Sequence, residues 1–503
     1  MKVFLSNSCT NIRSLAALVK GLSGLNRSQE SVGFRNERKD VAELRRLTFS
    51  CTRTAGRYEY QARRDLSPLA LSWKDRKEIK LKTTLRGRVR TFFANLGPGL
   101  ITGAADDDPS GISTYSVAGA AFGYLTLWTA LFSFPLMAAV QLMCARLGLV
   151  TGRGLASVIR TYYSRPVLWG ACALLIVANV FNIGADLGGM AEATEMMTGI
   201  KSYYWTPLYT LLIISLLFFS SYRHIARVFK WLTLVLFGYI VAAFLARPDW
   251  GLVVRATLVP RLEWSSSFLA TFVGIFGTTI SPYLFFWQAA QEVEDERAQG
   301  RITVEQRENA TDKELRVARM DVLTGMFFSN LVMYFIILTA AATLHAHGQT
   351  NIETAQDAAE ALRPLAGNGA YFLFTLGLIG TGMLAVPVLA GSAAYAVAET
   401  KDWRGSLEDR PRLSRKFYGV IAISMLLGLV LDFVGFNAVK MLFYSAVLNG
   451  LLAPPLIVLV VLLTSNPKVM GSQVSSRPLR YLGWTTAAIM TIAAVGMLAT
   501  IVR

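Results

Sequence analysis

The chain has 503 residues, 53% of them hydrophobic, with 50 Lys and Arg against 33 Asp and Glu. Apolar runs of about 20 residues, the length that crosses a bilayer, recur along most of it; they exclude an ordinary soluble fold and imply an integral membrane protein built of helices. The excess charge sits at one end: residues 1–90 hold 21 Lys and Arg against 8 Asp and Glu, a net of +13 out of +17. Next to membrane spans such a segment marks a face near anionic lipid rather than a nucleic-acid arm, so no nucleic-acid partner is expected.

Residues 1–90 read as a basic, disordered extension. They lack apolar periodicity, and the acid-free start over residues 1–29 bears only a faint likeness to a transit peptide. Residues 91–503 form the membrane domain. Its apolar spans run at about 95–121, 123–149, 166–197, 203–221, 226–246, 264–289, 318–344, 369–398, 416–434, 437–464 and 479–501, eleven in all. The positive-inside rule places the extension in the cytoplasm, together with the loops carrying Arg153, Arg160 and Arg165, then Arg223, Arg227 and Lys230, and later Arg410 to Lys416. The loop with Arg247, Arg255 and Arg261 runs against the trend. The charged segment 292–316 reads as a solvated linker, the C-terminus falls outside, and the setting is a cell inner membrane.

Two spans are interrupted. The first holds Asp106-Asp107-Asp108-Pro109-Ser110-Gly111, and the sixth holds Thr278-Thr279-Ile280-Ser281-Pro282. Proline removes a backbone donor and clashes with the preceding turn, and broken backbone at membrane depth is tolerated only where it lines a cavity. The breaks lie five spans apart, so spans 1–5 and 6–10 form two repeats of odd helix number inserted with opposite topology. Paired breaks of this kind point to a transporter's substrate site.

Carboxylates at bilayer depth are costly and hence functional candidates. Hard cations take oxygen ligands, which an unwound helix with Asp, Ser and free carbonyls supplies. In the third span Asn179, Asn182 and Asp186 form one polar stripe, read equally as interhelical hydrogen bonding or as a hydrated ion path. Glu192 and Glu195 lie nearer its outer end. His345 and His347 read as loop residues, and Cys144 and Cys172 as small core side chains. No zinc motif, phosphate loop, nucleophile elbow or nucleotide fingerprint is present, so neither an enzyme nor an ATP-driven pump is expected.

The stretch Gly97-Pro98-Gly99-Leu100 through Asp108-Pro109-Ser110-Gly111, then Phe122-Gly123-Tyr124, Ala145-Arg146-Leu147-Gly148 and Thr151-Gly152-Arg153, resembles the natural resistance-associated macrophage protein (Nramp) family of divalent metal transporters. Gly277 to Pro282 resembles that family's sixth-helix motif, and the likeness covers about residues 90–465. It implies an all-α, eleven-helix, leucine-transporter-type fold with inverted repeats, and a metal held between the broken first and sixth helices. Carried over by motif, the metal ligands are Asp108, Gly111 and Ser281 with carbonyls near Ala105 and Thr278, and Asp186 and Tyr283 match further family positions; with Asp107 of the carboxylate run and Asn182 of the polar stripe, these two are the candidates for an ion path.

The departures from the family pattern have a direction. Gly111 stands where the family has Asn, Ser281 where it has Met, Tyr283 where it has His, and Gly189 where it has a third-helix Glu. Losing a soft thioether and a bulky amide leaves a roomier site with hard oxygens, which suits Mg²⁺, an ion that keeps several waters. The pattern resembles the Nramp-related magnesium transporter branch, with manganese as the other candidate substrate. The missing His and Glu put proton coupling in doubt. No cofactor is expected, since the metal is cargo. The alternatives are an organic-solute or amino-acid carrier on the same fold and a non-transporting metal sensor.

Overall fold

The computed structural model describes residues 50–54, 57–61, 98–220, 222, 225, 233–435 and 437–501, in two compact units, Met1–Leu85 and Arg86–Arg503. In the first unit, β1 (Ser50–Thr54) and β2 (Arg57–Gln61) pair antiparallel, with Cys51 opposite Tyr60 and Thr52 opposite Glu59. No fold was expected there; a lone strand pair is marginal in water. The rest of the basic extension lies outside the described residues.

The second unit is helical. Its first span is broken into α1 (Pro98–Asp106) and α2 (Pro109–Phe122). Then come α3 (Trp128–Thr151), α4 (Leu155–Tyr162), α5 (Arg165–Thr198), α6 (Ser202–Phe219), α7 (Gly238–Leu245) and α8 (Trp250–Leu258). The sixth span is broken into α9 (Ser266–Thr279) and α10 (Pro282–Ala298). There follow α11 (Asp312–Thr343), α12 (Ala355–Ala359), α13 (Ala370–Lys401), α14 (Arg415–Asp432), α15 (Ala438–Ser465) and α16 (Arg477–Ile501).

Among the described residues, eight helical segments are individually long and apolar enough to cross a bilayer, the broken sixth span counting as one. The broken first span, the short apolar helix ending at Leu245 and the 18-residue α14 complete the eleven crossings. Helix starts follow local chemistry: Ser265 accepts from the Phe268 amide to cap α9, and Thr311 and Glu314 form a reciprocal capping box on α11.

Without a hydrophobic drive between helices in lipid, association rests on close van der Waals contact, and small residues permit it. α1 lies directly on α11: a Cβ on Gly99 would sit 2.6 Å from the Val322 amide nitrogen, and one on Gly103 would strike the Gly325 carbonyl. α9 and α15 meet in the same way, Gly277 against Ala446 and Gly450, and Gly450 against Val273.

One expectation fails. The segment 292–316 is not a solvated linker throughout. α10 continues to Ala298, and Glu292, Glu294 and Glu296 on it are buried. Each finds a local partner: the neutral amide of Gln288 donates to Glu292 at 2.9 Å, Arg297 bridges Glu294 at 2.8 Å and Arg301 bridges Glu296 at 3.0 Å. Charge-rich composition is not exposure when partners stand three to five residues away.

Candidate functional site

The break between α1 and α2 is set by Pro109, which begins α2 without an amide hydrogen, and by Asp108, whose extended backbone (φ −68°, ψ 170°) caps the helix. Its carboxylate accepts from the Gly111 amide at 2.7 Å and the Ser110 hydroxyl at 2.6 Å. An anion is favoured there by the positive end of the helix dipole. On α1, the Ala105 carbonyl accepts from the Tyr283 hydroxyl at 2.9 Å. Asp106 and Asp107 share the Ser329 hydroxyl, at 2.6 and 3.3 Å. The three aspartates are buried, and Asp106 Oδ1 has no partner.

The second break lies at Ile280 and Ser281, before Pro282 opens α10. The Ser281 hydroxyl turns back onto the end of α9, donating to the carbonyls of Gly277 at 3.0 Å and Thr278 at 2.6 Å. The breaks face each other across Gly111: a Cβ there would lie 3.0 Å from Thr278 Oγ1, 3.3 Å from Tyr115 Cε2 and 3.5 Å from the Asp106 carbonyl. The structure thus brings Asp108, Gly111, Ala105, Tyr283, Thr278 and Ser281 into one locality.

The polar stripe on α5 divides. Asn179 makes interhelical bonds, donating to the Leu389 carbonyl at 2.8 Å and to Ser392 at 2.7 Å. One and two turns on, Asn182 and Asp186 are fully buried, and all four of their side-chain polar atoms lack a partner. Asp186 lies within Coulombic reach of Asp108 and of Tyr283. Gly189 packs against Leu442, to whose Cδ1 an added Cβ would come within 2.8 Å. Glu192 accepts from the Ala355 amide at the start of α12, and Glu195 from the Ser202 amide. His345 holds the Ala120 carbonyl at 2.8 Å, away from the breaks.

Sequence reasoning missed three contributors. Ser329 serves Asp106 and Asp107 from α11; its signal was the Ser329-Asn330 pair inside an apolar run. Thr102, one turn below Asp106, donates to Gln288 at 2.6 Å, and Gln288 to Glu292, a polar ladder running away from the site. Tyr115, wholly buried, packs against Gly111.

Among the described residues no group of three His, Cys, Asp or Glu side chains gathers as a metal centre. The arrangement instead offers one capping carboxylate with carbonyls and hydroxyls, a donor set for a hard cation, and none of the candidate ligands is a thiolate or thioether. Towards the end of the bundle that carries α12, the space bounded by Pro109, Ser113, Gly189, Glu192 and Leu442 amounts to only about 10 Å³. At the end that carries α4 there are cavities of about 350 and 370 Å³, the larger lined by Glu292, Asp295, Glu296 and Asp321.

The sequence model of the natural resistance-associated macrophage protein-like family matches residues 99–500. A divalent metal cation transporter MntH of Deinococcus radiodurans is 30% identical over 426 residues, 82% of this chain and 92% of that protein. The MntH of Klebsiella pneumoniae is 28% identical over 413 residues, 80% and 94% of the two chains. A crystal structure of the Eremococcus coleocola manganese transporter, in complex with an aromatic bis-isothiourea compound, has a TM-score of 0.67 at 21% identity, covering 82% of this chain and 88% of its own. At that identity the likeness speaks to the fold.

Proposed function

We propose a transport function for this chain, which belongs to the natural resistance-associated macrophage protein (Nramp) family: it imports a divalent metal cation by alternating access, magnesium in preference to manganese, holding the ion between its two broken helices. Asp108 supplies the charge, the carbonyls of Ala105 and Thr278 and the Ser281 hydroxyl supply neutral oxygens, and Asp107, Asn182, Asp186 and Tyr283 line the path. The chain sits in a cell inner membrane with its N-terminus in the cytoplasm.

The observation that carries the magnesium preference is the donor set at the two breaks, a carboxylate with hydroxyls and carbonyls and no soft ligand among them, beside the buried, unpartnered oxygens of Tyr115 and Thr278. A small, hard ion that sheds water reluctantly suits such oxygens, which can bind it directly or through its water. The curated relatives are named for divalent metal cations, and the solved Eremococcus coleocola protein for manganese. The residues that differ here, Gly111, Ser281 and Tyr283, are the ones the ion meets, and they remove soft donors.

Uptake into proteoliposomes of Mg²⁺, Mn²⁺ and Ca²⁺ in turn, with a pH probe inside, tests this. Saturable flux of Mg²⁺ and Mn²⁺ without acidification of the lumen is the expected result. Tyr283 is occupied by the Ala105 carbonyl, and Gly189 faces Leu442 with no room for a Glu unless that side chain moves. Proton influx in step with the metal would refute uncoupled transport, and saturable binding with no flux would favour a sensor. Removal of residues 1–80 is expected to leave this uptake largely intact. A truncated protein that inserts normally but moves no metal would assign that segment a role in transport.

A further inference from the structure

The site holds more buried, unpartnered polar atoms than direct ligation of one ion uses. The phenol oxygen of Tyr115, the Thr278 hydroxyl, Asp106 Oδ1, both Asp186 oxygens and both Asn182 amide atoms have no hydrogen-bond partner. Buried groups of this kind are costly unless water or a ligand fills the space before them. Tyr115 stands on α2 one turn beyond Gly111. Its Cε2 is 3.3 Å, and Thr278 Oγ1 3.0 Å, from the position a residue-111 Cβ would take. The Tyr115 hydroxyl is also within electrostatic range of Asp106, Asp107 and Asp108.

We infer that Tyr115 is a specificity-determining residue of this site: its hydroxyl, beside that of Thr278, accepts hydrogen bonds from water that stays on the cation. This rests on the reading that the site takes a divalent cation. Water on a cation turns its oxygen inward and its hydrogens outward, so the wall facing it must accept. A hydroxyl can accept while sending its own proton to a nearby oxygen. A water-bridged contact is nearly as favourable as a direct one, so the arrangement rewards an ion that keeps its shell, as Mg²⁺ does, over one that sheds it.

The probe is hexaamminecobalt(III), whose ligands are exchange-inert and point N–H groups outward, so that it is recognised through its shell alone. It is applied to both faces of proteoliposomes during Mg²⁺ and Mn²⁺ uptake. In the wild type it should compete with Mg²⁺. Tyr115→Phe keeps the ring and removes the acceptor, and should weaken that competition about five- to tenfold, the value of one hydrogen bond. The KM for Mg²⁺ should rise by a similar factor while that for Mn²⁺ moves much less. Thr278→Val, nearly the same in shape, should repeat the pattern. Equal inhibition of wild type and Tyr115→Phe would overturn the assignment, as would Mg²⁺ and Mn²⁺ fluxes falling in proportion in both variants, which is the mark of a packing defect. A wild type that carries Mg²⁺ but ignores the cobalt complex overturns the inference and leaves the transport reading standing. A wild type that carries no divalent cation removes both.

Discussion

Asp108→Ala is expected to abolish divalent cation uptake while the protein still inserts and folds. Asp108 has two jobs, and they separate by magnitude. As the cap of α2 it holds the Gly111 amide and the Ser110 hydroxyl, and loss of a cap costs about 1 kcal/mol, which a helix packed on α11 and α15 survives. As the carboxylate at the break it offsets the charge of the ion, and a buried charge stripped of its partner loses about 3–5 kcal/mol, a hundredfold or more in binding. Asp108→Asn isolates the second role, because Asn caps as well as Asp but carries no charge. Both variants should elute and melt much like the wild type, and neither should transport. Normal flux in either, at normal expression, would show that the ion is held elsewhere.

Gly111→Asn combined with Ser281→Met should shift selectivity from Mg²⁺ towards Mn²⁺ by about tenfold or more, of the order of one hydrogen bond for each change. The Asn brings an amide oxygen up against Thr278 Oγ1 and the Tyr115 ring, where it takes the place of a water on the ion, and losing that water costs Mg²⁺ more. The Met removes the hydroxyl that holds the carbonyls of Gly277 and Thr278, frees both, and adds a soft donor that Mn²⁺ tolerates better. The contacts at Gly111 are tight, so total flux should fall somewhat. The informative quantity is therefore competition: Mn²⁺ uptake against rising Mg²⁺, wild type beside double mutant. Equally effective Mg²⁺ in both would mean that these two positions do not face the ion.

Both breaks were legible in the sequence because their cause is local. A proline after Asp108 or Ser281 strips a backbone donor within one turn, and the cap from Asp108 to Gly111 spans three residues. The eleven crossings were legible because each needs only its own apolar run. What surrounds the breaks was not. Asn179 and Asn182 lie on one stripe of α5, yet one meets the backbone of α13 and the other faces no partner. Nothing along the chain distinguishes them, since the difference lies in which neighbour each meets. Ser329 reaches Asp106 across 223 positions of sequence, and Tyr115 reads as an ordinary core aromatic until its buried hydroxyl is seen to lack a partner beside the break. The acids of α10 misled for the opposite reason: their partners are local, but composition alone gives a buried ion pair and a wet loop the same signature.

The two halves of the sixth span are attached to different neighbours. α9 is seated on α15 through Gly277 and Gly450, whereas the Ala289 carbonyl of α10 lies against Gly148 of α3. Around the joint, the Ile280 amide closes back onto Phe276 within the first half and the Leu284 amide onto Ser281 within the second, and Pro282 has no amide to lose. The joint can therefore flex without rupturing a main-chain hydrogen bond across it. If the site opens by swinging one half against the other, the heat needed is that of side-chain contacts such as Ser281 on Thr278, not of unwinding a helical turn. Turnover would then rise only gently with temperature, as in a machine that runs on a hinge already cut rather than one it must melt at each stroke.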